Sequence, residues 1–570
     1  MPRSLLRSSS RPRDSTSARS PIDPRRVARQ NPPTLLGGGT VADNSAHEKD
    51  RSILHALGYA QELRRGMSGF SNFAISFTII SILSGTLTLY ATGINYGGPV
   101  EEAYGWPIVS IFVIIVALGM AEIASKYPTA GGLYYWASKM GGPVWGWFTG
   151  WFNLIGQIAI TAGIDYGAAI FTDALLNLLW PGTFHASPHE IIYVYACILG
   201  LHALMNIFSV RLVAVLNDIS VWWHVLGVLI IVGFLAFKPD HHQSVGTVFS
   251  KTINNSGFSH QWLWFVLLLG LLQAQYTFTG YDASAHMSEE TQDASRSAAR
   301  GVVMSVVVSA IFGYILALGI TFAIQSFDST TGAGIFAVKQ VLLDALGLRA
   351  AEFLLFIIVG AQLYCGMSSI TSASRMLYAF SRDGATPGHR IWRRLNAARV
   401  PYMAVLAIAV LAFLCAFPAY FSKDIGVGAG YIAYAAVTSI ATIGLYIAYA
   451  IPIYLRLRLG DAWEPGEWNL GRWYRPIGTI AVIWVVFISV LFILPITPTG
   501  IPFKNGFTWL SFNYAPIAVL GTLLLVGGWW VVSAKKWFKG PVSQGSEDEL
   551  ALIEERFGER SGPPLTTPAA

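Results

Sequence analysis

About twelve separate stretches of this chain hold some twenty mainly apolar residues in a row, the length a helix needs to cross about 30 Å of hydrocarbon. Inside a bilayer only a helix or a closed barrel satisfies its own backbone, so a chain with this many stretches is committed to a bundle of membrane helices. The runs fall near 70–94, 106–125, 144–176, 190–208, 212–237, 262–286, 301–325, 352–380, 402–420, 428–455, 476–496 and 513–534. Composition agrees: of 570 residues 53% are hydrophobic and 12% charged, against roughly 25% charged in soluble domains. That excludes a soluble globular protein and a disordered one. Cys197, Cys365 and Cys415 are too few for a disulfide scaffold. All three lie in apolar runs and read as small buried residues without a redox or metal role.

The ends are polar. Residues 1–65 are Arg/Ser-rich, with Arg3, Arg7, Arg11, Arg13, Arg19, Arg25, Arg26 and Arg29 and no apolar core of a secretory signal. They read as a disordered cytoplasmic tail, with an organellar transit peptide as the alternative. With that end inside, alternate loops hold Lys126, Lys139, Arg211, Arg296, Arg300, Arg382, Arg390, Arg393, Arg394, Arg399, Arg456, Arg458, Arg472 and Arg475. The opposite loops hold only Lys238, Lys251, Lys339, Arg349, Lys423 and Lys504. This is the positive-inside bias of a multi-pass protein with both termini cytoplasmic. The net charge of +6 is thus an orientation device against a lipid bilayer, and no nucleic-acid partner is expected. The domain reading is a tail over 1–65, a membrane domain over 66–535 and a C-terminal cytoplasmic tail over 536–570. Residues Glu547 to Arg560 read as solvated, with a short amphipathic helix as the alternative.

Two spans carry signs of interruption. The first has Ser84-Gly85-Thr86 near its middle, and the sixth has Tyr276-Thr277-Phe278-Thr279-Gly280-Tyr281-Asp282. Unwound backbone persists in lipid only where it lines a cavity or binds a ligand. Breaks five spans apart are what two inverted repeats of five helices produce. Close packing of small residues is the competing account of either break alone. Asp282 favours function at the second, because a carboxyl at membrane depth costs at least ~2.5–3.5 kcal/mol and seeks a partner, water or substrate. In the third span Asn153, Gln157, Thr161 and Asp165 recur every four residues along one inward face. Simple bonding to a neighbouring helix is the alternative for the first three, and Asp165, nearer the outer end, is expected in a solvated vestibule. His224 lies near mid-depth of the fifth span and is a candidate for titration, with a neutral, bonded histidine as the alternative. His202 of the fourth span reads as packing. No H-E-x-x-H, P-loop, G-x-S-x-G or dinucleotide fingerprint occurs, so no catalytic residues, cofactor or metal is expected.

Several segments resemble one family. Gly58 to Leu63 (GYAQEL), Phe70 to Phe77 (FSNFAISF), Ala121 to Ser125 with Tyr127 to Tyr134 (AEIAS, YPTAGGLY), Phe278 to Asp282 with Ser288 to Thr291, Ser374 to Gly384 (SRMLYAFSRDG) and Asn469 to Arg472 are similar in order and spacing to the amino acid-polyamine-organocation superfamily. Within it they resemble the amino acid/choline transporters, including 4-aminobutyrate permeases. The resemblance implies an all-α integral membrane protein of about 12 transmembrane helices. It implies a LeuT-like fold of 5+5 inverted repeats with broken helices, over about 70–237 and 262–455, plus two C-terminal helices over 476–534. By position Ser84, Gly85 and Thr86 match the backbone that receives a substrate carboxylate, where free N–H groups and the helix dipole favour an anion. Tyr276, Phe278, Thr279 and Gly280 match the segment whose carbonyls receive the amine, with Tyr276 as an aromatic gate. Ser368 and Ser369 match the part of the eighth helix that approaches the site. His224 stands where sodium-independent relatives carry a lysine, which makes proton coupling the natural expectation; Asp282 is a second proton candidate.

The expected function is secondary active import of amino acids or related amines such as 4-aminobutyrate. The chain reads as a proton-coupled permease of the plasma membrane, working by alternating access, and not as an enzyme. Its partners are then a small amine or amino acid, the proton and the bilayer, and no pattern sets an oligomeric state. The alternative in the same class is a choline or polyamine carrier, with Tyr276, Phe278 and Tyr281 supplying part of an aromatic cage. A non-transporting nutrient sensor or a channel is the alternative of a different class.

Overall fold

The computed structural model describes residues 41–208, 210–421 and 429–560. The chain divides into Met1–Ser45, of which only the start of a helix is described, and Ala46–Ala570, which holds every membrane span. Among the described residues the structure is helical, with isolated bridges (Met67 with Thr291, Pro181 with Phe184) in place of any sheet. Among the described residues eleven helices are long and apolar enough to cross a membrane: Gly69–Asn95, Glu101–Lys126, Pro143–Leu179, Pro188–Phe208, Arg211–Phe237, Ala294–Phe322, Leu348–Arg382, Tyr402–Phe421, Tyr434–Ala462, Gly471–Ile493 and Ala515–Trp537. The remaining apolar run, sixth in chain order, is split into Leu263–Gly270, Leu272–Thr277 and Ala283–His286.

The spans are unequally enclosed. In the most apolar stretch of the first span 94% of residues are buried, and in the third 89%, against 11% in the last. The first and third spans are therefore the centre of the bundle, and the last is a peripheral helix whose Leu524 and Leu525 point outward. An apolar exterior is what a bilayer requires and water does not tolerate. Cys197, in the fourth span, belongs to this exterior: it is exposed and Cys415 half-buried, so only Cys365 matches the expected burial. The seventh span begins at Ala294, earlier than its apolar run, because its first turns carry Arg296 and Arg300 and hydropathy does not register them.

The described part of each tail carries a helix. The Arg-rich stretch up to residue 40 lies outside the described residues, but a helix covers Val41–Ala56 and another Glu547–Arg560. Glu554 accepts from His55 Nε2 (2.7 Å) and from the Gln61 N–H (2.8 Å) and pairs with Arg51. Gln544 accepts from the Ala60 N–H at 2.7 Å and donates to Glu62 at 2.7 Å. Residues 51–62 and 544–554 are thus clasped together, and neither segment is a free solvated tail.

Candidate functional site

The first span is interrupted at its middle. Its opening helix ends at Ile80, and Ser81 takes the left-handed conformation (φ 35°, ψ 83°) before helix resumes at Gly85–Thr88. That conformation costs a residue with a side chain about 1–2 kcal/mol, and His224 holds it, with Nε2 2.7 Å from Ser81 Oγ. The interruption therefore starts at Ser81, ahead of the expected Ser84-Gly85-Thr86. The Ser84 and Gly85 N–H groups return to the Ser81 carbonyl (2.8 and 3.0 Å). The Thr86 hydroxyl is buried without a hydrogen-bond partner.

The sixth span breaks between Thr277 and Ala283. Gly280 has φ +88°, and a Cβ there would overlap Ile79 Cγ2, so both backbone and space require glycine. Polar side chains hold the unwound backbone: Tyr446 donates to the Phe278 carbonyl (2.6 Å), Ser76 to the Tyr281 carbonyl (2.9 Å), and the Gly280 N–H to Tyr449 Oη (3.3 Å). Of the carbonyls assigned to a substrate amine, that of Phe278 is held by the tenth span in this structure, and that of Tyr276 by Thr279 Oγ1 at 2.6 Å.

The two breaks touch. A Cβ on Gly85 would stand 2.7 Å from Thr277 Oγ1 and 2.9 Å from Thr277 Cα, so the restarted first helix lies against the backbone where the sixth unwinds. On the other side of the breaks Asn72 donates to the Ser284 carbonyl (2.9 Å), and Ser284 donates back to the Asn72 carbonyl (2.9 Å). The Tyr276 hydroxyl lies against Gly163 of the third span, at 2.6 Å from where a Cβ would be.

Asp282 is the centre of a buried network. Oδ2 accepts from Asn153 Nδ2 (3.1 Å) and Gln157 Nε2 (2.9 Å), and faces His286 Nε2 at 3.2 Å; Oδ1 accepts from Tyr449 at 2.8 Å. Of the third-span face, Asn153 and Gln157 therefore serve the sixth-span break. Thr161 meets Ser369 of the eighth span at 2.7 Å. Asp165 is fully buried, contrary to the vestibule expectation, because His202 Nδ1 lies 3.2 Å away and Gly366 makes room for its carboxylate. His202 is correspondingly a polar partner and not a packing residue. Ser368 donates to Asn217 of the fifth span (2.5 Å).

Charged residues gather beyond the breaks at the clasped end. Glu290 pairs with Arg375 (2.8 Å), Glu289 with Arg382 (2.9 Å) and Glu122 with Arg456 (3.0 Å), all buried. Ala130 donates its N–H to Glu289 at 2.9 Å. Just past the eighth span Asp383 accepts from Tyr59 (2.8 Å), Tyr134 (2.9 Å) and the Val542 N–H (3.1 Å). Burial pushes its carboxyl up to about 6, against the opposing charge of Arg382.

The sequence profile described as amino acid permease matches residues 67–524. The chain belongs to the amino acid permease family. It is 40% identical over 508 residues to amino-acid permease BAT1 of Arabidopsis thaliana, covering 86% of this chain and 96% of that one. It is 29% identical over 536 residues to the GABA-specific permease of Saccharomyces cerevisiae, covering 90% of each. This permease is accordingly a multi-pass membrane transporter and not an enzyme. Its family-like motifs include the buried ion pairs: Glu289, Glu290, Arg375 and Arg382 all fall in segments singled out for their resemblance. Sequence reasoning misses Ser81, Tyr446, Tyr449 and His286. Only His286 leaves a signal, as the residue four beyond Asp282, one turn along a helix.

Proposed function

We propose that this permease imports amino acids or related amines such as 4-aminobutyrate across the plasma membrane, driven by protons, through a site between the two helix breaks. The observation that carries the reading is the contact of the interruptions, Gly85 on Thr277 and Gly280 on Ile79. Helix ends in lipid that face each other offer N–H groups to a carboxylate and carbonyls to an ammonium, and a zwitterion of short length bridges them. On this reading Ser84, Gly85 and Thr86 receive the carboxylate once the Ser84 and Gly85 N–H groups leave the Ser81 carbonyl, Tyr276 closes the outer path, and the carbonyls of Tyr276 to Gly280 take the amine once tyrosine and threonine hydroxyls release them. Ser369 reaches the site through Thr161. The clasped end is cytoplasmic, and the two repeats span about 70–237 and 262–455. An aromatic cage for choline is less well supported, since Phe278 packs on Trp106 (4.9 Å) and Tyr281 on Tyr449 (4.9 Å).

The test is uptake into proteoliposomes with an imposed pH gradient, using labelled 4-aminobutyrate competed by choline, a polyamine and the common amino acids. Amino acids or 4-aminobutyrate are expected to accumulate and to displace one another. Accumulation of choline alone, or of none of these, refutes the reading.

A further inference from the structure

His286 Nδ1 lies 2.9 Å from the carbonyl of Ala130, in the loop after the second span, and Nε2 lies 3.2 Å from Asp282 Oδ2. A carbonyl only accepts, so Nδ1 must carry a hydrogen. Nε2 then faces a carboxylate whose Oδ2 already accepts from two amides. A neutral imidazole would present a lone pair to that anion, and the contact would repel. The geometry holds together only if one more proton lies between them, on Nε2 or on Asp282. From this we infer that the Asp282–His286 pair is the binding site of the coupling proton, an inference that rests on the proton-driven reading above and gives it an address.

The surroundings supply no substitute for that proton. The third span faces the pair with Asn153 and Gln157, which are neutral, and the first span packs Asn72 and Ser76 on the same half-helix. The tenth span contributes the phenols Tyr449, bonded to Asp282, and Tyr446, bonded to the Phe278 carbonyl. Tyr281 is the titratable neighbour on the pair's own element. Through Ala130 the pair reaches Glu289, whose charge Arg382 already balances at 2.9 Å. Without its proton the pair is a fully buried net negative charge, which is strongly unfavourable. His224 makes a contrast. Its Nδ1 donates to the Ser220 carbonyl (2.8 Å), and its Nε2 accepts from the Ser81 hydroxyl (2.7 Å), so a neutral ring is satisfied and needs no added proton.

The Ala130 contact makes the site conditional on conformation. The bond joins the half-helix beyond the sixth-span break to the loop after the second span, and a Cβ on Gly132 of that loop would lie 3.1 Å from the ring. When these parts separate to open the cytoplasmic side, Nδ1 loses its acceptor and water reaches Nε2. The imidazolium then passes the Nε2 proton to water, leaving neutral histidine and a hydrated carboxylate. The closed form binds the proton more tightly than the open one, and that difference in affinity couples proton to substrate.

The experiment compares two rates in proteoliposomes, 4-aminobutyrate exchange at equal pH and accumulation under an imposed pH gradient, for wild type, His286→Gln and Asp282→Asn. An asparagine at 282 donates an amide hydrogen to Nε2 and so removes the need for a proton. In both variants the ratio of accumulation to exchange is expected to fall at least tenfold, and exchange to lose its dependence on pH. In weakly buffered detergent solution, wild type is expected to shift the pH on binding 4-aminobutyrate, a readout that needs no variant to fold. Gradient-driven accumulation by His286→Gln at the wild-type ratio, or no pH shift from a wild type that accumulates substrate, overturns the inference. Failure of a wild type that exchanges 4-aminobutyrate at equal pH to accumulate it under the gradient defeats proton coupling as a whole, the earlier reading included.

Discussion

The two helix breaks are placed alike and built differently. At the first, the chain turns on a serine in the left-handed region, and a histidine from the fifth span supports it through a neutral hydroxyl. At the sixth, it turns on a glycine, and a carboxylate beyond the turn gathers partners from the third and tenth spans and from His286. The hinge residue of the first break is held by neutral groups; on the inference above, the other break needs a proton. The two interruptions therefore ask different things of their surroundings: the first rests on a hydroxyl–histidine contact and the sixth on a buried carboxylate–histidine pair.

The glycines put this contrast under the greatest stress. Gly280→Val meets both an unfavourable φ and a Cβ that overlaps Ile79, and is expected to lower uptake more than a hundredfold. Gly85→Ala, in helical backbone but 2.9 Å from Thr277 Cα, is expected to lower it about tenfold, since a large part of the barrier and binding free energy depends on geometry here. Initial rates of labelled uptake, corrected for protein in the membrane, decide it; equal effects would mean that the breaks differ less than described. A smaller effect separates the histidines. His224→Ala removes support for Ser81 and is expected to cost about 1–3 kcal/mol of stability, seen as a lower Tm in detergent, while the pH dependence of exchange persists. Loss of that dependence would return the proton to the first break.

The smallest effect concerns the anchor shared by both halves. Asp383 takes Tyr59, which leads into the first span, and Tyr134, which lies just past the loop touching His286. Its carboxyl is raised from 3.8 to about 6, so the folded state holds the proton more tightly than the unfolded chain. Its contribution is fully present below about 3.8 and is lost as pH rises through about 6. Protection factors for hydrogen exchange in 541–554, which remove the intrinsic rise of exchange with pH, are expected to be lower at pH 7.5 than at pH 5, and Asp383→Asn to shrink that difference.

The spans are legible in the sequence because hydrocarbon demands long apolar helices, and their limits shift mostly where polar turns extend a helix, as at Ala294. Both breaks are legible as clusters of small and polar residues, yet the sequence pattern points too late in the first, because its hinge is Ser81 and no glycine marks it. Asn153 and Gln157 are readable as an inward face from their spacing alone. Tyr446, Tyr449 and Ala130 are not, since their roles come from elements brought together across more than a hundred residues. Asp165 stands out in the sequence and His202 reads only as packing, and neither reveals that they pair, because a contact between two helices leaves no trace in either one's periodicity.

The clasp between residues 58–62 and 544–554 has a consequence for how this transporter is handled. The stretch after the last span looks like a dispensable appendage, yet its Gln544 and Glu554 fasten the backbone that leads into the first span. Trimming it, or crowding it with a fused reporter, takes those partners from Ala60, Gln61 and Glu62 and is expected to loosen that entry without touching either helix break.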